Sequence, residues 1–138
     1  MKGILLLSHG DMAKGMLQSS SIFFGENLPQ VEALDFQMTD DSDEFEKKIV
    51  EAIKRVDDGD GVIVLCDLFA GTPAHKTTKY VKQGKVDVIC GMNLPLFMEL
   101  LSNRETNDVD LNYLMDVAKG AIKPWQVVLS SNSDDDFF

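Results

Sequence analysis

The chain has 138 residues, 44% hydrophobic and 26% charged, a balance that suits one globular domain and excludes a wholly disordered chain. Thirteen basic residues against 23 acidic ones leave a net charge of −10, which repels a phosphate backbone and argues against nucleic-acid binding. No apolar run approaches the roughly 20 residues that span a bilayer, and Ile4–Leu7 is too short to serve as a signal peptide.

Gly3 to Ser8 reads as a buried strand, because four consecutive aliphatic residues leave no polar face. Asp11 is placed to cap a helix with Met12, Met16, Leu17 and Phe23 among its apolar residues, ending at Gly25. Val31 to Phe36 is a second, short strand. The next helix starts at Asp41 or Ser42 and carries Phe45, Ile49, Ile53 and Val56 at helical spacing. Acids crowd its first turn, basic residues follow, and Gly59 stops it.

Gly61 to Cys66 gives a third strand, apolar on both faces. Thr72 and Pro73 have the chemistry of a cap and first helical residue, predicting a helix to about Gln83. Val86 to Cys90 is the fourth strand. Helices follow from Asn93-Leu94-Pro95 to about Ser102 and from Asp110 to Gly120, and Trp125 to Leu129 reads as a fifth strand. The end of the chain, with three aspartates before two phenylalanines, is expected to be a disordered tail over 131–138. Cys66 and Cys90 form no CxxC pair and end apolar runs, which predicts buried free thiols in a cytoplasmic protein.

Strands without a wet face, alternating with helices, predict an α/β fold with a doubly wound parallel sheet in the order 2-1-3-4. Ligands of such sheets bind outside the carboxyl ends of the strands, where the order reverses. The first strand ends there in Ser8-His9-Gly10, the third in Asp67-Leu68-Phe69-Ala70-Gly71-Thr72-Pro73, and the fourth in Gly91-Met92-Asn93-Leu94-Pro95. His9 and Asp67 then face each other across the switch point. A neutral imidazole is a nucleophile near neutral pH, and an aspartate on its other nitrogen fixes the tautomer and stabilises developing positive charge. Backbone amides at Gly71-Thr72-Pro73, with the Thr72 hydroxyl, are suited to an incoming anion. A backbone-bonded loop histidine, a turn-capping aspartate and two glycines required by tight turns are the competing readings. His75, in the first turn of the predicted helix, is expected to face solvent. Two histidines without a ligand-spaced partner set give no metal pattern, and neither GxGxxG nor GxxxxGK[ST] is present to bind a cofactor. The G-x-S-x-G elbow of α/β-hydrolases is missing as well.

Together these three strand ends, with SHG, DLFAGTP and GMNLP in that order, resemble the mannose-family enzyme IIA domain of the bacterial sugar phosphotransferase system. The resemblance covers about residues 1–130 and implies a phosphotransferase working through a phosphohistidine. It implies that His9 is phosphorylated on Nε2 and that Asp67 is its hydrogen-bond partner. Ser8, Gly10, Gly71 and Thr72 are then the phosphate-binding candidates. It further implies phosphate uptake from the histidine-containing phosphocarrier protein and delivery to an enzyme IIB subunit, with membrane transporter subunits coupling transfer to sugar entry. A homodimer is implied, in which the C-terminal strand, here Trp125–Leu129, pairs antiparallel with the partner's sheet. The chain carries Ala70-Gly71 where the family usually has Gly-Gly, and it has no fused IIB region, so the acceptor is expected on another polypeptide. Its acidic surface suits basic partner patches and predicts salt-sensitive docking. Two alternatives stand beside this reading: the phosphoryl-carrying subunit of dihydroxyacetone kinase, and a small-anion-binding regulatory module without covalent chemistry.

Overall fold

The computed structural model describes residues 1–106 and 108–126. Strand β1 (Gly3–His9) leads into helix α1 (Met12–Phe24), followed by β2 (Val31–Phe36), α2 (Ser42–Val56) and β3 (Val62–Cys66). Two short helices, α3 (Thr72–His75) and α4 (Thr78–Lys82), precede β4 (Val86–Cys90), and α5 (Leu94–Asn103) and α6 (Leu111–Gly120) complete the order. The four strands form one parallel sheet in the order β2-β1-β3-β4, the order expected of a doubly wound sheet.

The aliphatic runs are continuous because the central strands bury both faces. Ile4 and Leu6 of β1, with Ile63 and Leu65 of β3, pack on one side against Ala13 and Met16 of α1, Leu96, Phe97 and Leu100 of α5, and Leu114 of α6. Leu5 and Leu7, with Val62, Val64 and Cys66, meet Phe45, Ile49, Ala52 and Val56 of α2 on the other. Side chains alternate along a strand, so a single run feeds both layers. Each fully buried Leu or Ile contributes about 1.5–3 kcal/mol relative to exposure, which is why the sheet can hold its strand ends in fixed positions. The thiols of Cys66 and Cys90 are free, Cys66 buried and Cys90 half-buried, and burial pushes the Cys66 thiol far above its ordinary value.

Three boundaries differ from the sequence expectation. The single helix predicted from Thr72 to Gln83 is broken at Thr77, whose hydroxyl and amide both donate to the Ala74 carbonyl, at 2.6 and 3.1 Å. A β-branched residue that bonds back to the preceding turn tightens the chain there and ends α3. Helix α2 ends at Val56, before Gly59, because Asp57 turns extended and its carboxylate accepts from the Gly59 and Gly61 amides at 2.9 and 3.1 Å. Residue 125 lies in a turn and residue 126 is helical, so the predicted fifth strand does not begin at Trp125. The remainder of that strand and the acidic tail lie outside the described residues.

Candidate functional site

His9 is the last residue of β1 and Asp67 the first after β3, its neighbour in the sheet. The Asp67 amide donates to the Leu7 carbonyl at 3.2 Å, which anchors the loop to the strand beside it. Asp67 Oδ2 then accepts twice from His9, from its backbone N–H at 2.9 Å and from ring Nδ1 at 2.8 Å. Asp67 Oδ1 accepts from the Leu68 amide at 2.9 Å. A carboxylate only accepts when ionised, so the proton of the neutral ring is assigned to Nδ1 and Nε2 keeps a free lone pair. Burial pushes the Asp67 carboxyl upward, but the His9 amide, the His9 ring and the Leu68 amide outweigh it and hold the group below its ordinary range. The imidazole side chain is 41% exposed and the carboxylate 9%, so the ring faces outward and the carboxylate lies behind it. Phe36, opposite His9 in β2, approaches the ring edge-on with centroids 6.3 Å apart and is backed by Phe45 of α2.

Gly71 lies against the other side of the imidazole. A Cβ on Gly71 would stand 2.7 Å from His9 Cε1 and 3.4 Å from Nε2, so that position has room for a hydrogen and little more. Its neighbour Ala70 takes the left-handed conformation, with φ 60°, as the loop turns toward α3. Thr72 is the first residue of α3 and Gly71 its cap, one position earlier than the sequence assignment. Thus His9, Asp67, Gly71 and the start of α3 are brought together as predicted from the strand ends.

Ser8 and Gly10 are placed differently. Ser8 is fully buried, and its hydroxyl donates to the Gly10 carbonyl at 3.0 Å while accepting from the Ala13 amide at 2.7 Å. That hydroxyl braces the turn from beneath and does not reach the open space beyond Nε2. Gly10, at φ 59°, directs its amide to the Phe36 carbonyl at 2.8 Å, so its role is the turn itself. Asp11 occupies the cap position of α1 but makes no side-chain cap bond, and its Oδ1 instead accepts from Gln37 Nε2 at 2.8 Å. The first amides of α1 are taken by Ser8 and by Asp35, whose Oδ1 accepts from the Lys14 amide at 3.2 Å. Asp35 was missed by the sequence reading, although an acid inside a short apolar strand was a visible signal. His75, at the end of α3, is exposed and lines a shallow hollow with Phe69, Ala70 and Cys90. Among the described residues no group of three or more His, Cys, Asp or Glu is arranged to hold a metal ion. No helix of the described residues is long and apolar enough to cross a membrane.

Comparison with known proteins shows what the chain as a whole is similar to. Residues 3–114 match the family model described as PTS system fructose IIA component. The chain is 29% identical over 106 residues to the PTS system fructose-specific EIIA component of Bacillus subtilis strain 168, covering 76% of this chain and 72% of that one. It is 27% identical over 138 residues to the PTS system sorbose-specific EIIA component of Lacticaseibacillus casei, covering 98% and 99%. Among solved structures, the PTS IIA protein associated with the fucose utilization operon of Streptococcus pneumoniae superposes with a TM-score of 0.85 at 29% identity. That superposition spans 94% of this chain and 96% of the other.

Proposed function

The chain belongs to the PTS system fructose IIA component family, and from that premise we propose that it carries a phosphoryl group on His9 Nε2 during sugar uptake. The observation that carries this reading is the 2.8 Å bond between His9 Nδ1 and Asp67 Oδ2, which in the neutral ring leaves the Nε2 lone pair free on a side chain that is 41% exposed.

In the proposed step the Nε2 lone pair attacks the phosphorus of a phosphohistidine on the histidine-containing phosphocarrier protein. The N–P bond of the donor breaks, and the donor nitrogen keeps the electron pair. A bond forms from Nε2 to phosphorus, and the His9 ring becomes cationic while Nδ1 keeps its proton. The Asp67 carboxylate stabilises that charge without taking the proton. The loop amides at Ala70, Gly71 and Thr72 and the Thr72 hydroxyl receive the phosphoryl oxygens. A second in-line displacement hands the group to an enzyme IIB subunit: the acceptor nucleophile bonds to phosphorus, the Nε2–P bond breaks and Nε2 keeps the electron pair, and the membrane transporter subunits couple that transfer to sugar entry.

The surface around His9 supports protein docking. Leu68 and Phe69, on the loop that carries Asp67, are exposed, as are Met12 and Met38. Such apolar tips on a chain of net charge −10 favour a partner with an apolar centre and a basic rim, met in fast, salt-dependent encounters. The reading places the protein in the cytoplasm, as a homodimer. Phosphoenolpyruvate, enzyme I and the phosphocarrier supplied together are expected to put one acid-labile, base-stable phosphate on the chain. A His9→Ala protein that still took up that phosphate would refute the assignment.

A further inference from the structure

Helix α1 begins three residues after His9, and its first turn is capped from outside its own segment. Ser8 of β1 takes the Ala13 amide and Asp35 of β2 takes the Lys14 amide, while the residue at the cap position takes neither. Ser8 and Asp35 are register partners in the sheet, as are His9 and Phe36. The turn between β1 and α1 is therefore clamped to β2 at two points, Gly10 N–H to the Phe36 carbonyl and Lys14 N–H to the Asp35 carboxylate.

The Asp35 side chain is 2% exposed, and its Oδ2 is a buried polar atom without a hydrogen-bond partner among the described residues. Lys14 Nζ is the nearest cation, at 3.9 Å and itself largely exposed. A buried acid with an unmet oxygen is a poor device for stability alone. At the start of a 13-residue helix, however, an ionised acceptor binds an orphan amide more strongly than a neutral one and complements the helix dipole.

We propose that Asp35 is a positioning residue for phosphoryl transfer: by accepting the Lys14 amide it holds the His9–Gly10–Asp11 turn, and through it the imidazole, in line with the approaching phosphorus. The proposal rests on His9 being the phosphorylated residue. Without the Asp35 acceptor the first turn of α1 loosens, the Ser8 bridge between Ala13 and Gly10 loses its partner clamp, and the ring is no longer held between Asp67 and Gly71. An error of about 1 Å in the position of a reacting atom is worth on the order of a hundredfold in rate.

Asp35→Ala and Asp35→Asn are compared with the unaltered chain in phosphate uptake from the phosphocarrier. Asp35→Ala is expected to lower kcat about tenfold or more with KM unchanged, because the docking surface is intact and the alignment is not. Asp35→Asn keeps an acceptor in the same place and is expected to recover to within about threefold of the original rate. Uptake by Asp35→Ala at the original rate overturns the proposal, and so does an Asp35→Asn protein as slow as Asp35→Ala. Two measurements need no phosphate. Proton–nitrogen correlation spectra of the His9 ring should show the Nδ1–H tautomer in the unaltered chain and a tautomer mixture in Asp35→Ala, an unchanged ring spectrum counting against the proposal. Hydrogen exchange at the Lys14 amide of the unaltered chain should be slowed at least tenfold relative to an open amide, and exchange at the open rate overturns the proposal even where Asp35→Ala does not fold. Should the unaltered chain take up no phosphate, the functional reading fails, while these two measurements still decide the role of Asp35.

Discussion

The imidazole of His9 lies so close to Gly71 that a methyl group there would stand 2.7 Å from Cε1. The contact leaves the ring no freedom to swing toward the loop, and the Asp67 bond on the opposite nitrogen fixes its rotation. Gly71→Ala is therefore expected to push the ring off the Asp67 carboxylate. The displaced nucleophile should be phosphorylated about a hundredfold more slowly, while the loop, at the protein surface, absorbs the change without loss of fold. A Gly71→Ala protein with the original rate and an unshifted His9 ring spectrum would show that the contact does not position the nucleophile.

Ala70 has the opposite problem. Its φ of 60° is one that a Cβ disfavours by about 1–2 kcal/mol, and part of that is returned by the greater freedom of glycine in the unfolded chain. Ala70→Gly should raise stability by about 1 kcal/mol, a midpoint shift of about 3 °C for a domain of this size. Transfer should continue at a similar rate, since the backbone path is unchanged. Thermal unfolding followed by circular dichroism measures it, and a lowered midpoint would mean that the loop is not strained at this position.

A feature of this fold is legible in the sequence where its determinant is local. Ile4–Leu7 and Val62–Leu65 announce buried strands because each is a short aliphatic run with no polar face, bounded by turn residues, while the strand order comes from the doubly wound pattern as a whole. His9 and Asp67 could be paired because both end strands that the topology makes neighbours. The capping of α1 could not be read this way: Lys14 is satisfied by a residue 21 positions away, and no local pattern distinguishes that from a cap by Asp11. The bond from the Ala13 amide to the Ser8 hydroxyl is hidden for the same reason, since a serine beside the histidine reads from sequence as a phosphate ligand. Ala70 carries no turn signal, because alanine rarely adopts the conformation that the loop imposes on it.

Asp67→Asn tests the electrostatics behind the His9 ring. The amide is nearly the same shape, but its NH2 group can face Nδ1 and move the ring proton to Nε2, removing the lone pair that attacks. Phosphorylation should fall by about a thousandfold or more. The stability consequence has a definite sign. Net hydrogen bonding holds the Asp67 carboxyl below its ordinary value despite its burial, so the ionised group favours the fold above the ordinary aspartate range. That contribution is lost as pH falls through the depressed value. Denaturant unfolding of the two proteins should show the original chain ahead at neutral pH and the gap closing in acid. A gap that widened with acid would contradict the assignment.

Asp35→Asn carries the reverse sign. Burial pushes the Asp35 carboxyl above its ordinary value, the Lys14 amide and ammonium only partly oppose this, and the neighbouring Asp11 adds to it. A folded state that binds its proton more tightly than the unfolded chain loses stability as pH rises from the ordinary aspartate value through the raised one. Above that window the ionised carboxylate is carried at a net cost, with Oδ2 unmet. An asparagine has no charge to desolvate and still offers an oxygen to the Lys14 amide. Asp35→Asn should therefore unfold at higher denaturant than the original chain at neutral pH, and the difference should shrink as the solution is acidified below the ordinary aspartate range, where Asp35 is protonated in both states. The measurement is a pair of denaturation series from acid to neutral pH, with equal slopes confirming that the unfolded states are comparable. A variant less stable at neutral pH than the chain it came from would mean that the charge on Asp35, through the dipole of α1, outweighs its desolvation.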